Sequence, residues 1–296
     1  MVFQHCKLPD AGDKVSRQIF RYQDVPAKMT VLEYIRSNSD WDEVEKRFEG
    51  RFEPELRMAV PVDVSCLRRE IASAYCDLGW HYWRSTMGNS YSGMAITYNP
   101  ALGDEQRFSG LLGHERYRDL DVADYFAVDR HQDNQYRVRD DYLDTLSFRY
   151  LNDFSNYPGL FALFKGFRRP ISRSRIATLF GVSVPSSDDV GWHVDEAPTT
   201  LLRINICIES NDDYSLQYRS GETEVLKLGE SSIINTDQQH RVAVHYTSIS
   251  SRTHVVVGVL PWLDYDPIED SWSFSEFYGQ IHPYDMVREG LIYANF

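Results

Sequence analysis

His193 and Asp195 stand two residues apart, a spacing that sends both side chains to the same face of an extended segment, where an imidazole and a carboxylate can grip one cation. His240 follows 47 residues after His193. Two histidines and a carboxylate on one face of an octahedron form the ligand set of non-haem Fe(II) oxygenases, because the remaining positions stay open to cosubstrate and dioxygen. A His-x-Asp tripeptide alone is a short pattern that chance produces often, so the metal reading needs support from its surroundings.

That support has to come from the elements that would position these residues. The run 201–209 alternates, with Leu202, Ile204, Ile206 and Ile208 on one face and Arg203, Asn205, Cys207 and Glu209 on the other. Such a strand needs an apolar cover on the first face, and its second face then points into a polar interior. In the run 253–260 and the residue before it, Arg252 and His254 share a face with Val256 and Gly258. Two arginines directed into one barrel are costly without an anionic guest. His254 reads two ways, as a pocket residue or as a core histidine bonded to a backbone carbonyl. Arg173 and Arg175 read either as reaching a substrate carboxylate or as a solvated, ion-paired edge.

Around these segments the second half of the chain reads as short β-like runs (173–179, 201–209, 214–218, 224–228, 231–235, 240–245 and 253–260) separated by turn signals, which points to a sandwich or barrel. The first half is helix-rich. Leu67, Ile71, Ala74, Tyr75 and Leu78 recur at helical spacing over 63–78, with Asp63 as N-cap and Gly79 as stop. Further helices are expected over 40–48 and 140–154, the latter closed by a Tyr157-Pro158-Gly159 breaker, and a strand over 94–98. No linker-like tract separates the halves. The expected organisation is a helix-rich flank over 1–165 packed on a β core over 166–265, with a C-terminal extension over 266–296.

Composition narrows the classes. A net charge of −13 works against binding a polyanion, because a phosphate backbone must be neutralised by clustered Lys and Arg, so nucleic acid is not an expected partner. No apolar run approaches the roughly 20 residues of a membrane span. The opening residues lack the basic start and unbroken apolar stretch of a signal peptide, and the four cysteines (Cys6, Cys66, Cys76 and Cys207) show no Cys-x-x-Cys pair; reduced thiols in the cytoplasm are the expectation. His5, His81, His114, His131, His245 and His282 have no partner at ligand spacing and read as surface or satisfied core residues.

Several segments taken together, Arg175-Ile-Ala-Thr-Leu, Gly191-Trp-His-Val-Asp, Leu202-Arg-Ile-Asn-Ile, Leu228-Gly-Glu, Asn235-Thr-Asp-Gln-Gln-His240 and Arg252-Thr-His-Val-Val, resemble in order and approximate spacing the aspartyl/asparaginyl β-hydroxylase family of Fe(II)- and 2-oxoglutarate-dependent dioxygenases. The resemblance spans about residues 171–262, a third of the chain. It implies an α+β chain with a double-stranded β-helix (cupin or jelly-roll) core, with Fe(II) on His193, Asp195 and His240. It also implies that Arg252 pairs with the distal carboxylate of 2-oxoglutarate and that Arg203 sits near its metal-chelating end, with Asn205, where the family often has a histidine, and His254 beside them. The planar guanidinium suits such carboxylate recognition. Asp195 aligns the chain with the bacterial free-amino-acid hydroxylases of this group and against halogenases, which lack the carboxylate.

The implied activity is hydroxylation of a C–H bond of a free amino acid or an amino-acid-derived small molecule, with O2 as oxidant and succinate and CO2 released. The alternatives are a hydroxylase of Asp, Asn or Pro in a peptide or protein, and a cupin that binds metal without turnover.

Overall fold

The computed structural model describes residues 18–26, 29–53, 55–58, 60–78, 81–84, 90–100, 144–180, 194–210, 213–244 and 251–294. The strands run β1 (Ile19–Arg21), β2 (Glu55–Met58), β3 (His81–Arg84), β4 (Ser90–Ala95), β5 (Thr97–Tyr98), β6 (Tyr150–Leu151), β7 (Ile171–Phe180), β8 (Leu202–Glu209), β9 (Tyr214–Tyr218), β10 (Thr223–Glu224), β11 (Ser231–Ile234), β12 (His240–Val244), β13 (Ser251–Val259), β14 (Leu263–Asp266) and β15 (Ser271–Phe274). Five α-helices, α1 (Val31–Ser37), α2 (Trp41–Lys46), α3 (Val64–Leu78), α4 (Pro158–Lys165) and α5 (Pro283–Arg288), and two short 3-10 turns, Tyr22–Asp24 and Thr145–Ser147, complete the described elements. The chain is α+β, and the strand pairings among the described residues are antiparallel.

A seven-stranded sheet in the order β2-β11-β8-β13-β7-β4-β3 organises the molecule, and a three-stranded sheet in the order β10-β9-β12 accompanies it. The large sheet thus draws β2, β3 and β4 from the first hundred residues. Alternation decides what each of its faces meets. Ile176, Ile204, Ile206, Ile208, Ile233, Val255 and Val257 are buried in one cluster with Leu67 and Ile71 of α3 and Leu160, Leu163 and Phe164 of α4. Each such side chain contributes about 1.5–3 kcal/mol by leaving water. The opposite face of β11 contributes Ile234, which packs with Leu216 and Tyr218 of β9 and Val242 of β12 in a separate cluster. The small sheet therefore covers the face of the large one that carries Arg203, Asn205 and Ser232.

Local chemistry explains the helix boundaries. Asp63 caps α3 as expected, its carboxylate accepting from the Cys66 N–H at 2.9 Å, while Gly79 lies outside the described residues. Thr30 and Glu33 form a reciprocal capping box at the start of α1. The helix expected over 40–48 is α2, and the strand expected over 94–98 is split between β4 and β5.

Expectations over two stretches, 140–159 and 224–228, are corrected. No α-helix forms over the described part of 140–154; Thr145–Ser147 make a single 3-10 turn and Tyr150–Leu151 a short strand. The Asp144 carboxylate accepts from the N–H groups of Leu146 and of Val31, 113 residues earlier, so it holds a turn and caps α1. Pro158 and Gly159 then open a helix instead of breaking one: Pro158 sits in the first turn of α4, where its missing N–H is harmless. The Glu70 carboxylate of α3 accepts from the N–H groups of Gly159 at 2.9 Å and Leu160 at 2.8 Å. The second correction is the run 224–228, which is strand only through Glu224, because Ser210 bonds the Leu226 carbonyl and Glu230 turns the chain at Lys227.

Among the described residues no helix is long and apolar enough to cross a membrane, and Cys66, Cys76 and Cys207 are free thiols.

Candidate functional site

His240 opens β12 opposite Tyr218, two residues before Val242 on the same face, so its ring turns toward the space between the two sheets. It is 3% exposed. Its Nδ1 lies 2.9 Å from the Gln238 carbonyl oxygen, a contact that requires Nδ1 to carry the proton and so leaves the lone pair on Nε2. Asp195 is brought to the same turn by its main chain: the Asp195 N–H donates to the Thr236 carbonyl at 2.8 Å, and the Thr236 hydroxyl donates to the Glu196 carbonyl at 2.6 Å. His193 lies outside the described residues. Among the described residues no three His, Cys, Asp or Glu side chains converge on one point. A cation held by Asp195 and His240 therefore needs a further donor, and His193, two positions before Asp195, has the type and spacing to supply it.

Glu196, which no sequence pattern singled out, is bonded into the same region. One of its carboxylate oxygens accepts from Arg203 Nη2 at 3.3 Å and the other from the Thr145 hydroxyl. Arg203, 5% exposed, also donates through Nη1 to the Arg173 carbonyl at 3.0 Å. Burial lowers the pKa of Arg203, Glu196 and Asp195 oppose that shift, and Arg175 and Arg173 reinforce it. The counter-ion expected of a bound anion is thus supplied to Arg203 by its own chain. The signal in the sequence was adjacency to Asp195, but only the fold brings Thr145 and Arg203 to the same carboxylate.

The rest of this segment is tied to the N-terminal helices. The Thr199 hydroxyl donates to Glu45 of α2, Arg36 of α1 donates to the Thr200 hydroxyl at 3.4 Å, and Arg36 pairs with Glu45 at 2.8 Å.

Arg252 and His254 meet at the far end of β13. Arg252 Nη2 donates to His254 Nδ1 at 3.0 Å, which makes Nδ1 an acceptor and leaves the ring proton on Nε2. Burial first, and the Arg252 charge second, hold the pKa of His254 well below the ordinary 6.5, so the ring is neutral. Of the two possibilities for His254, its described partner is the arginine and not a carbonyl. Arg203 faces Gly258 while Glu209 faces Thr253, so about 20 Å of strand separates the backbones of Arg203 and Arg252.

Between them, Asn205 lies opposite Ser232 on one side and Val256 on the other, and Val256 faces Arg175. Ser232 is fully buried and its hydroxyl has no hydrogen-bond partner among the described residues. Arg173 adopts a positive φ of 44°, uncommon for a residue with a side chain, and its guanidinium lies 5.0 Å from the Phe148 ring centre.

No family model matches the chain, and no curated protein matches it. Solved structures to which it is similar include a Pseudomonas putida prolyl-4-hydroxylase, at 10% identity over 74% of this chain and 96% of that one with a TM-score of 0.32. Others are the non-haem α-ketoglutarate-dependent epimerase SnoN from nogalamycin biosynthesis (11% identity, 75% and 84% covered, TM-score 0.35) and the carbocyclase SnoK from the same biosynthesis (13%, 76% and 86%, TM-score 0.34).

Proposed function

We propose that the protein is a non-haem Fe(II)- and 2-oxoglutarate-dependent oxygenase that hydroxylates a C–H bond of an amino acid or an amino-acid-derived small molecule. One observation carries the proposal: Asp195 and His240 are bonded to the same short turn, the first through the Thr236 carbonyl and the second through the Gln238 carbonyl, with the His240 lone pair left on Nε2. In this reading the paired sheets are a double-stranded β-helix with Fe(II) on His193, Asp195 and His240. The donor set fits: imidazole nitrogen and carboxylate oxygen suit ferrous iron, and three protein ligands leave positions open.

Iron and 2-oxoglutarate, when bound, supply the oxidising chemistry, with succinate and CO2 as by-products of hydroxylation by O2. The protein's own groups bind and orient. The Gln238 carbonyl holds the His240 ring in one tautomer, and the Thr236 contacts hold the Asp195 main chain. Arg252 offers a planar guanidinium to the distal carboxylate of the cosubstrate, and neutral His254 adds an Nε2–H donor beside it. Asn205 and Ser232, buried on the same face, offer further hydrogen bonds toward the interior. Closure between the two sheets keeps water from the reacting carbon.

The test is succinate formation under air with Fe(II) and 2-oxoglutarate, against panels of free amino acids and of peptides, with His240→Ala and Asp195→Ala as controls. Succinate that appears with the wild-type chain and disappears in both variants supports the proposal. Turnover confined to peptides moves the substrate to a protein side chain. Metal and cosubstrate binding with no succinate under any condition leaves a non-catalytic metal-binding cupin.

A further inference from the structure

Arg203 has every mark of a cosubstrate contact in the sequence, yet its guanidinium is committed elsewhere. Nη2 pairs with Glu196, Nη1 donates to the Arg173 carbonyl, and the second Glu196 oxygen is taken by the Thr145 hydroxyl. Glu196 is the residue after Asp195, and Arg203 feels both carboxylates. The main chain between them is fixed from the other side, by Asp195 N–H to the Thr236 carbonyl and by the Thr236 hydroxyl to the Glu196 carbonyl. Arg252, by contrast, stands about 20 Å of strand away with His254 as its described partner.

Resting on the oxygenase reading, we infer that Arg203 is a positioning residue that acts through Glu196: with Thr145 it holds that carboxylate away from the metal, so that Asp195 is the acid that ligates.

Asp195 and Glu196 are adjacent, partly buried carboxylates, and both would be competent ligands for a divalent cation held beside them. If Glu196 were loose, it would compete for a coordination position that the cosubstrate needs, because the chemistry depends on positions the protein leaves open. A carboxylate that is 11% exposed and stripped of its cation is also unfavourable in place, which drives it toward the nearest positive charge. Arg203 and Thr145 remove both problems by occupying one Glu196 oxygen each. Partners in this outer layer commonly alter metal-site properties by about 10- to 100-fold when lost.

The experiment compares wild type, Arg203→Met, Glu196→Gln and the double variant, using Mn(II) in place of iron and measuring 2-oxoglutarate affinity by calorimetry well below each variant's melting temperature. Arg203→Met removes the Arg203 bond from a charged Glu196 and is expected to weaken 2-oxoglutarate binding by at least about tenfold. The double variant removes the competing charge and is expected to return to within about threefold of wild type, since partners that act as a unit do not add. If the double variant keeps the tenfold loss, the guanidinium itself contacts the cosubstrate and the inference fails. It also fails if Arg203→Met binds 2-oxoglutarate as wild type does. Should Arg203→Met not fold, the double variant, which carries no unpaired charge at this pair, decides alone by the same threshold. Wild-type protein that binds neither Mn(II) nor 2-oxoglutarate overturns the oxygenase reading itself, an outcome that differs from any of these.

Discussion

Acidification from neutral pH to about pH 4 should destabilise the fold, and His282 supplies a separable part of that loss. Its ring is 4% exposed, with ring centres of Phe52 at 4.4 Å, Phe48 at 5.6 Å and Tyr284 at 5.7 Å. Its Nδ1 accepts from the Tyr284 N–H at 3.1 Å, which caps α5, so that nitrogen must be unprotonated. Burial foremost, then the Arg51 charge, lowers its pKa from the ordinary 6.5 to about 4, with Asp285 opposing and Arg288 reinforcing the shift. The unfolded chain therefore takes up a proton that the folded chain refuses between these values, and stability falls as pH drops through that window, levelling below it.

At 1.36 kcal/mol per unit, the shift from 6.5 to about 4 corresponds to about 3 kcal/mol. That is a large part of the 5–15 kcal/mol typical of a whole domain. Asp270 does not confuse the window, because its pKa is depressed below 3.8 and its contribution is lost only at lower pH. His254 acts in the same direction as His282. Denaturant unfolding followed by tryptophan fluorescence from pH 7 to 4, on wild type and His282→Asn, separates the two, since Asn can still accept from Tyr284 but does not titrate. The variant will be less stable at pH 7 and its slope over this window shallower by about 3 kcal/mol in total. An unchanged slope would refute the assignment to His282.

If Arg252 holds the distal carboxylate of 2-oxoglutarate as proposed, Arg252→Met removes two charge-assisted hydrogen bonds, and affinity for that cosubstrate should fall by about 100-fold, or about 3 kcal/mol, with metal binding retained. The pKa of His254, followed by NMR, should rise in the same variant because a neighbouring positive charge is gone; unaltered cosubstrate affinity would place the anchor elsewhere. Glu70→Ala strips the start of α4 of two acceptors and should cost about 2 kcal/mol in denaturant unfolding. A loss below the resolution of that measurement would mean that water replaces the carboxylate.

What the sequence revealed was what local spacing controls. The alternation of Leu202 to Glu209 gave β8 and the residues of both its faces, because the two-residue period of a strand needs no knowledge of the partner strands. Asp63 revealed the start of α3 for the same reason. The expected helix over 140–154 takes no account of Asp144, whose carboxylate caps the Val31 N–H from across the fold, a contact local spacing does not show. Pro158-Gly159 looked like a stop because Pro is incompatible with a helix interior and compatible with its first turn, and local sequence does not distinguish the two. Glu196 has no sequence signal beyond its adjacency to Asp195, because its bonds to Arg203 and Thr145 arise only from tertiary structure.

The tethering of residues 195–200 bears on how separable the molecule is. This stretch is bonded to Arg36 and Glu45 in the first helices, to Thr145, to Arg203 on β8 and to Thr236 before β12. A fragment confined to 166–265 would keep the sequence of the candidate ligands yet lose three of those five tethers. If the chain binds metal as proposed, bound metal would serve as a reporter of tertiary assembly: its uptake during refolding should lag the formation of the sheets and coincide with docking of α1 and α2. By mass action, the same cation would draw those helices onto the rest of the chain.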